Sequence, residues 1–140
     1  MKTGKSIPRG IRNNNPLNIR KGDKWVGLDL EKTAAEKDFC VFTSMHFGFR
    51  AAFRILARYR NRQWDTLEKI IAHWAPESEN ETEAYVRQIC KYTGLSRNVP
   101  LEYEYYPILV KAMYKIENGF FPDDETDELI DKCHSLYFTT

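Results

Sequence analysis

At 140 residues, with 42% hydrophobic and 29% charged side chains, the chain has the composition of one globular domain that can bury a core without disulfide or metal staples. A formal net charge of +1 supplies no basic excess for nucleic acid, and no apolar run approaches the length of a membrane-inserted span. Cys40, Cys90 and Cys133 are too sparse for a disulfide framework and fit a reducing compartment. His46, His73 and His134 are equally scattered, so no zinc-ligand spacing occurs and no metal or organic cofactor is implied. The polar N-terminus lacks an apolar signal core, and the expectation is synthesis in the cytoplasm without a signal peptide.

Residues 1–24 are rich in Gly, Asn, Lys and Arg and carry Pro8 and Pro16, which predicts a loop-rich entry segment. Asn13-Asn14-Asn15-Pro16 is turn chemistry, because Asn side chains bond local backbone and Pro16 keeps Asn15 out of the helical region. Trp25 to Leu28 and Asp38 to Phe42 read as the two strands of a small β-hairpin over 25–42, with a charged, mobile tip around Leu30 to Lys37.

From residue 44 to 137 the period is helical. Phe49, Ala52, Phe53 and Leu56 recur at i, i+3, i+4 and i+7, so one face of that helix is expected inside. Arg50, Arg54, Arg58, Arg60 and Arg62 on the same stretch read as a solvated face, with a polyanion site as the alternative. Asp65 with Glu68 makes a capping-box start for Leu67, Ile70, Ile71 and Trp74, and Pro76 closes that helix. Asn80 with Glu83 caps a third, carrying Val86, Ile89 and Cys90 and ending at Gly94. Pro107 opens a fourth with Leu109, Ala112, Met113 and Ile116 buried before Gly119. A fifth runs from Asp124 to Leu136 with Leu129, Ile130, Cys133 and Tyr137 inward. The fold class expected is mainly α of an α+β kind, with about five helices and one hairpin in a single domain over 1–140.

Glu117 closes the fourth helix, followed by Asn118, Gly119, Phe120 and Phe121. The negative end of the helix dipole and apolar surroundings both disfavour an ionised carboxylate, so its pKa is expected to rise. A carboxylic acid that keeps its proton near neutral pH suits protonation of a glycosidic oxygen. The alternative is a Gly-capped helix whose Glu faces water. Glu79 and Glu81, at a helix N-terminus, are better caps than proton donors.

Several short motifs resemble the lysozyme-like lytic transglycosylases. Glu81-Thr82-x-x-Tyr85-Val86 is similar to their Glu-Thr-x-x-Tyr-Val segment, and Glu117-Asn118-Gly119-Phe120-x-Pro122 resembles their catalytic Glu-Ser-Gly-Phe-x-Pro. Ala72-His73-Trp74-Ala75-Pro76 is loosely similar to Ala-Tyr-Asn-Ala-Gly, departing at the Tyr, the Asn and the Gly. Asn13-Asn14-Asn15-Pro16-Leu17-Asn18-Ile19 resembles the Asn-rich turn before the hairpin in related glucosaminidases, and Trp25-x-Gly27 and Asp38-Phe39 agree with that comparison. The opening from Arg9 to Pro16, Trp74-Ala75-Pro76 and Glu117-Asn118-Gly119 also resemble small phage and prophage virion proteins.

In the lysozyme-like enzymes the catalytic Glu precedes the Asn-rich turn, whereas residues 1–12 here contain no Glu. The order of motifs therefore implies a circular permutant, with the acid-bearing helix at the C-terminal side packing against the N-terminal turn. The resemblance implies Glu117 as general acid/base, Tyr85 orienting substrate, Asn13, Asn14, Asn15 and Asn18 binding N-acetyl groups, and Trp25 and Trp74 stacking on sugar rings. The substrate implied is peptidoglycan, cleaved between N-acetylmuramic acid and N-acetylglucosamine, with delivery by virion or phage machinery. Two other readings stand beside it: a non-catalytic virion protein that binds glycan or other virion proteins, and a small helical interaction protein in which these motifs are caps and core.

Overall fold

A computed structural model of the chain describes residues 7–76 and 78–139, the side chains of Glu79 and Asn80 excepted. Among the described residues it holds seven α-helices: α1 (Arg9–Arg12), α2 (Leu30–Ala35), α3 (Met45–Asn61), α4 (Leu67–Trp74), α5 (Glu79–Thr93), α6 (Tyr106–Asn118) and α7 (Asp124–Tyr137). A single 3₁₀ turn, Tyr103–Tyr105, leads into α6.

The five long helices follow their apolar periods. Phe49, Ala52, Phe53 and Leu56 of α3, Ile70 and Ile71 of α4, Val86 and Ile89 of α5, Leu109 and Met113 of α6 and Ile130 and Cys133 of α7 are all buried in one cluster. Trp74, Cys90, Leu129 and Tyr137, also expected inside, are half-buried at its margin. The start signals sit close to the expected ones. Thr66 rather than Asp65 caps α4, its hydroxyl accepting from the Lys69 N–H at 3.2 Å. Ser78 rather than Asn80 caps α5, accepting from the Glu81 N–H at 3.1 Å. Gly94 and Gly119 end α5 and α6 at φ +73° and +92°, in the left-handed region that glycine enters at no steric cost. Helix α3 packs on α7, α5 lies between α4 and α6, and α6 touches both α7 and α1.

The hairpin is absent, and the fold is mainly α without the α+β element or the five-helix count expected. Among the described residues there is no β-strand, only two isolated antiparallel bridges, Arg20 with Phe39 and Leu28 with Phe42. Residues 25–28 close as a turn in which the Leu28 N–H reaches the Trp25 carbonyl at 3.4 Å and Gly27 takes φ +83°. The supposed hairpin tip is α2 itself, capped by Asp29, whose carboxylate accepts from the Lys32 N–H at 2.9 Å. The second supposed strand gives its backbone bonds to three different segments. Cys40 N–H donates to the Ile19 carbonyl at 3.0 Å, Val41 N–H to the Thr33 hydroxyl at 2.9 Å and Phe42 N–H to the Asn13 carbonyl at 2.9 Å. The physical reason lies in burial: Phe39, Cys40, Val41 and Phe42 are all inside, so the in–out alternation of a half-exposed hairpin does not exist.

Candidate functional site

The Asn-rich turn is built from its own amides. Asn15 is fully buried; its Nδ2 donates to the Ile19 and Cys40 carbonyls at 2.9 and 3.0 Å while its Oδ1 accepts from the Ile19 N–H at 2.9 Å. Asn14 and Asn18 take φ +51° and +53°, a conformation Asn tolerates better than other residues with a Cβ. Asn14 Nδ2 donates to the Phe42 carbonyl at 3.2 Å. Asn13 is buried, its carbonyl bonded to Phe42 and its side-chain nitrogen without a partner among the described residues. Helix α3 passes so close that a Cβ on Gly48 would lie 2.3 Å from the Asn14 carbonyl oxygen.

The last turn of α6 docks on this turn. Asn118, buried, donates through Nδ2 to the Pro16 carbonyl at 2.8 Å and to the Tyr114 carbonyl at 3.0 Å. One residue earlier, the Glu117 carboxylate accepts from Asn18 Nδ2 at 2.8 Å on Oε1 and from the Tyr85 hydroxyl at 2.9 Å on Oε2. Tyr85 is 8% exposed and reaches Glu117 from α5. Three segments far apart in the chain thus meet at one carboxylate. A charge at the C-terminal end of a helix is disfavoured by the dipole, and two donors on its two oxygens offset that cost. A phenol hydroxyl and a carboxamide can each either donate or accept, so both partners suit a group that gains and loses a proton.

Glu117 lies on a cleft of about 770 Å³. Of the residues singled out in the sequence, Asn18, Trp25, Trp74, Tyr85 and Glu117 line it, while Asn13, Asn14 and Asn15 are not on its walls. The indole of Trp25 is covered by the Arg58 guanidinium, 4.8 Å from the ring centre, and Arg58 is in turn paired with Asp23 at 3.2 Å. Trp74 sits at the end of α4 in an edge contact with Tyr59, the ring centres 6.4 Å apart. Glu81 also lines the cleft.

Other wall residues were not nominated by the sequence reading. Tyr59 shares a wall with Ile55 one helical turn earlier on α3, an i, i+4 pair on a face next to the core stripe. Burial pushes the Tyr59 phenol above its ordinary pKa, so it stays neutral. His73 is stacked flat on Trp64, 3.6 Å between ring centres and 7° between planes, and its Nδ1 pairs with the Lys69 carbonyl at 2.8 Å. Arg9 lies over the Phe39 ring at 3.8 Å, and both line the cleft. No group of His, Cys, Asp and Glu among the described residues is placed to hold a metal ion.

The geometry defines the molecule as a helical protein with a cleft lined by aromatic side chains and by a carboxylate that accepts from a phenol and an amide. No family model matches the chain. It is 43% identical over 122 residues to Protein P5 of Pseudoalteromonas phage PM2, a match covering 81% of this chain and 73% of that protein, and it belongs to the same family of phage proteins. That relative is a phage protein, in keeping with the resemblance to phage and prophage proteins carried by the Arg9–Pro16, Trp74–Pro76 and Glu117–Gly119 segments. No helix among the described residues is long and apolar enough to cross a membrane.

Proposed function

We propose that the cleft binds a peptidoglycan strand and that Glu117 is the general acid/base that cleaves its β-1,4 bond between N-acetylmuramic acid and N-acetylglucosamine. The observation that carries this reading is the convergence of Asn18, Tyr85 and Glu117, 99 and 32 positions apart in the chain, on the two oxygens of one carboxylate. Glu and Tyr are the residues that the two transglycosylase-like motifs assign to acid/base and substrate contact, and here they touch. Packing of the Glu-bearing helix end on the Asn-rich turn is the contact that a permuted order of these motifs requires. A cleft lined by Tyr59 and Trp74, with Trp25 beneath the Arg58 guanidinium, offers aromatic surface to sugar rings, as glycan sites commonly do.

In this mechanism protonated Glu117 gives its proton to the glycosidic oxygen as the C1–O bond breaks. The resulting carboxylate then takes a proton from the sugar's own 6-hydroxyl, whose oxygen closes on C1, or from a water that attacks C1. Either route restores the acid and needs one catalytic carboxylate. Tyr85 keeps Glu117 in one rotamer through the cycle.

The test is solubilisation of purified peptidoglycan by the protein beside its Glu117→Gln variant, with released sugars weighed by mass spectrometry. Loss of a general acid is expected to lower the rate by about 10²–10⁴-fold. Anhydro sugars in the digest assign a transglycosylase; reducing ends assign a hydrolase. Equal rates for parent and variant overturn the assignment of Glu117. Glycan binding by both without any release moves the protein to the class of non-catalytic virion modules.

A further inference from the structure

The Asn18 amide has two ends in unlike surroundings. Its nitrogen is bonded to Glu117, while its Oδ1 is buried and has no partner among the described residues. That oxygen faces the Cα of Gly10: a Cβ built there would be 3.4 Å from Asn18 Oδ1, 2.9 Å from the Asn15 carbonyl oxygen and 2.6 Å from Asn118 Oδ1. Asn118 Oδ1 is likewise buried without a partner. Three oxygens therefore lie within 3.4 Å of the position a Cβ on Gly10 would take, and two of them, Asn18 Oδ1 and Asn118 Oδ1, lack a donor among the described residues, which costs free energy in a poorly solvated place. The backbone around Asn18 is fixed, since its N–H bonds the Asn15 carbonyl at 3.0 Å and its neighbours Leu17 and Ile19 are buried. The terminal torsion of an Asn side chain is two-fold and soft. Half a revolution about it exchanges the amide's ends without moving anything else.

We infer that Asn18 is a positioning residue whose amide turns with the proton of Glu117. With Glu117 ionised, Nδ2–H points to Oε1 and the oxygens over Gly10 go without donors. With Glu117 protonated on Oε1, the turned amide accepts that proton's hydrogen bond on Oδ1 and sends its N–H₂ to the Gly10 side, where the Asn15 and Asn118 oxygens lie. Each orientation satisfies one side, and only the protonated acid satisfies both. The oxygen cluster over Gly10 thus pulls Glu117 toward the form that can donate. This deepens the acid/base reading above and rests on it for its use in turnover, but the coupling itself is a property of the resting protein.

The experiment is NMR on the full chain with ¹⁵N-Asn and ¹³C-labelled Glu, following the Asn18 side-chain amide and the Glu117 carboxyl carbon through a pH titration. The other ionisable groups on the cleft walls are Arg9 from α1, Arg20, Lys21 and Asp23 before α2, His73 from α4 and Glu81 from α5, besides the phenols Tyr59 and Tyr85. Their inflections are separated by the Glu117→Gln variant. The expected result is one shared midpoint for the two signals in the parent, and an Asn18 amide that no longer moves at that midpoint in the variant. An Asn18 amide that stays still while Glu117 titrates, or that moves alike in parent and variant, overturns the inference. Because this readout needs no substrate, a protein that shows the shared midpoint but releases no sugar refutes the glycan reading alone.

Discussion

The Asn118 clamp is the contact whose removal is most informative. In Asn118→Ala the Pro16 carbonyl, itself buried, loses the 2.8 Å bond from Nδ2, and no other backbone donor reaches it among the described residues. The Tyr114 carbonyl also loses a donor, but it lies where the helix ladder of α6 supplies one. One buried acceptor left unpaired costs about 1–3 kcal/mol, and we expect about 2–3 kcal/mol once the emptied volume is added. At this length each kcal/mol lowers Tm by about 3–4 °C, so the melting point is expected to fall by about 6–12 °C. Asn118→Ser, which installs the residue of the resembling Glu-Ser-Gly motif, is too short to reach Pro16 and is expected to lose most of the same stability. Urea titration followed by circular dichroism measures both. A loss below about 0.5 kcal/mol, the size of a surface change, would refute the view that Asn118 ties α6 to the turn.

Four further outcomes are expected. Gly48→Ala puts a Cβ 2.3 Å from the Asn14 carbonyl and 2.7 Å from Pro16 Cδ, so the turn or α3 must move; about 1–3 kcal/mol of stability is lost, read by thermal melting. Tyr85→Phe keeps the buried ring but removes the hydroxyl from Glu117; sugar release is expected to fall at least tenfold while Tm changes little, and an unchanged rate would separate Tyr85 from the mechanism. Burial holds the His134 imidazole below its ordinary value of 6.5, so the unfolded chain takes up the proton first as pH falls. Stability is therefore full above about pH 6.5 and declines as the medium is acidified toward the folded-state value; urea midpoints at neutral and acid pH should show this, and His134→Phe should shrink the decline. Burial pushes the Cys133 thiol up to about 11, so in the native protein a maleimide is expected to reach half-buried Cys90 before buried Cys40 or Cys133, which mass spectrometry after digestion resolves.

The long helices were legible because each buries one continuous stripe, and stripes of Phe49-Ala52-Phe53-Leu56 kind have a single periodic explanation. The short ones were not. Helix α2 rests on one Asp29 cap and a pair of alanines, a signal that a charged loop also carries. The 39–42 segment misled for a related reason: four buried residues in a row say that a segment is inside, but not which backbone it bonds. Its partners are single carbonyls and a Thr33 hydroxyl, contacts that leave no period in the sequence. At the cleft, Glu117 and Tyr85 were legible from their motifs. Asn18 was grouped with Asn13, Asn14 and Asn15 as an N-acetyl contact, and its bond to Glu117 depends on a helix docking from the far side of the chain. Tyr59 was missed because it flanks the core stripe of α3 instead of repeating along it, and His73 and Arg9 stood in motifs that assigned them no contact of their own.

The distance in sequence between Asn18 and Glu117 has a consequence for biosynthesis. A growing chain on the ribosome displays the Asn-rich turn and most of the aromatic wall long before the carboxylate that joins them has been made. Domains fold as units during and after synthesis, and a contact spanning 99 residues is among those that wait. The carboxylate therefore joins the cleft only once α6 has been made and has docked, later than the rest of the wall.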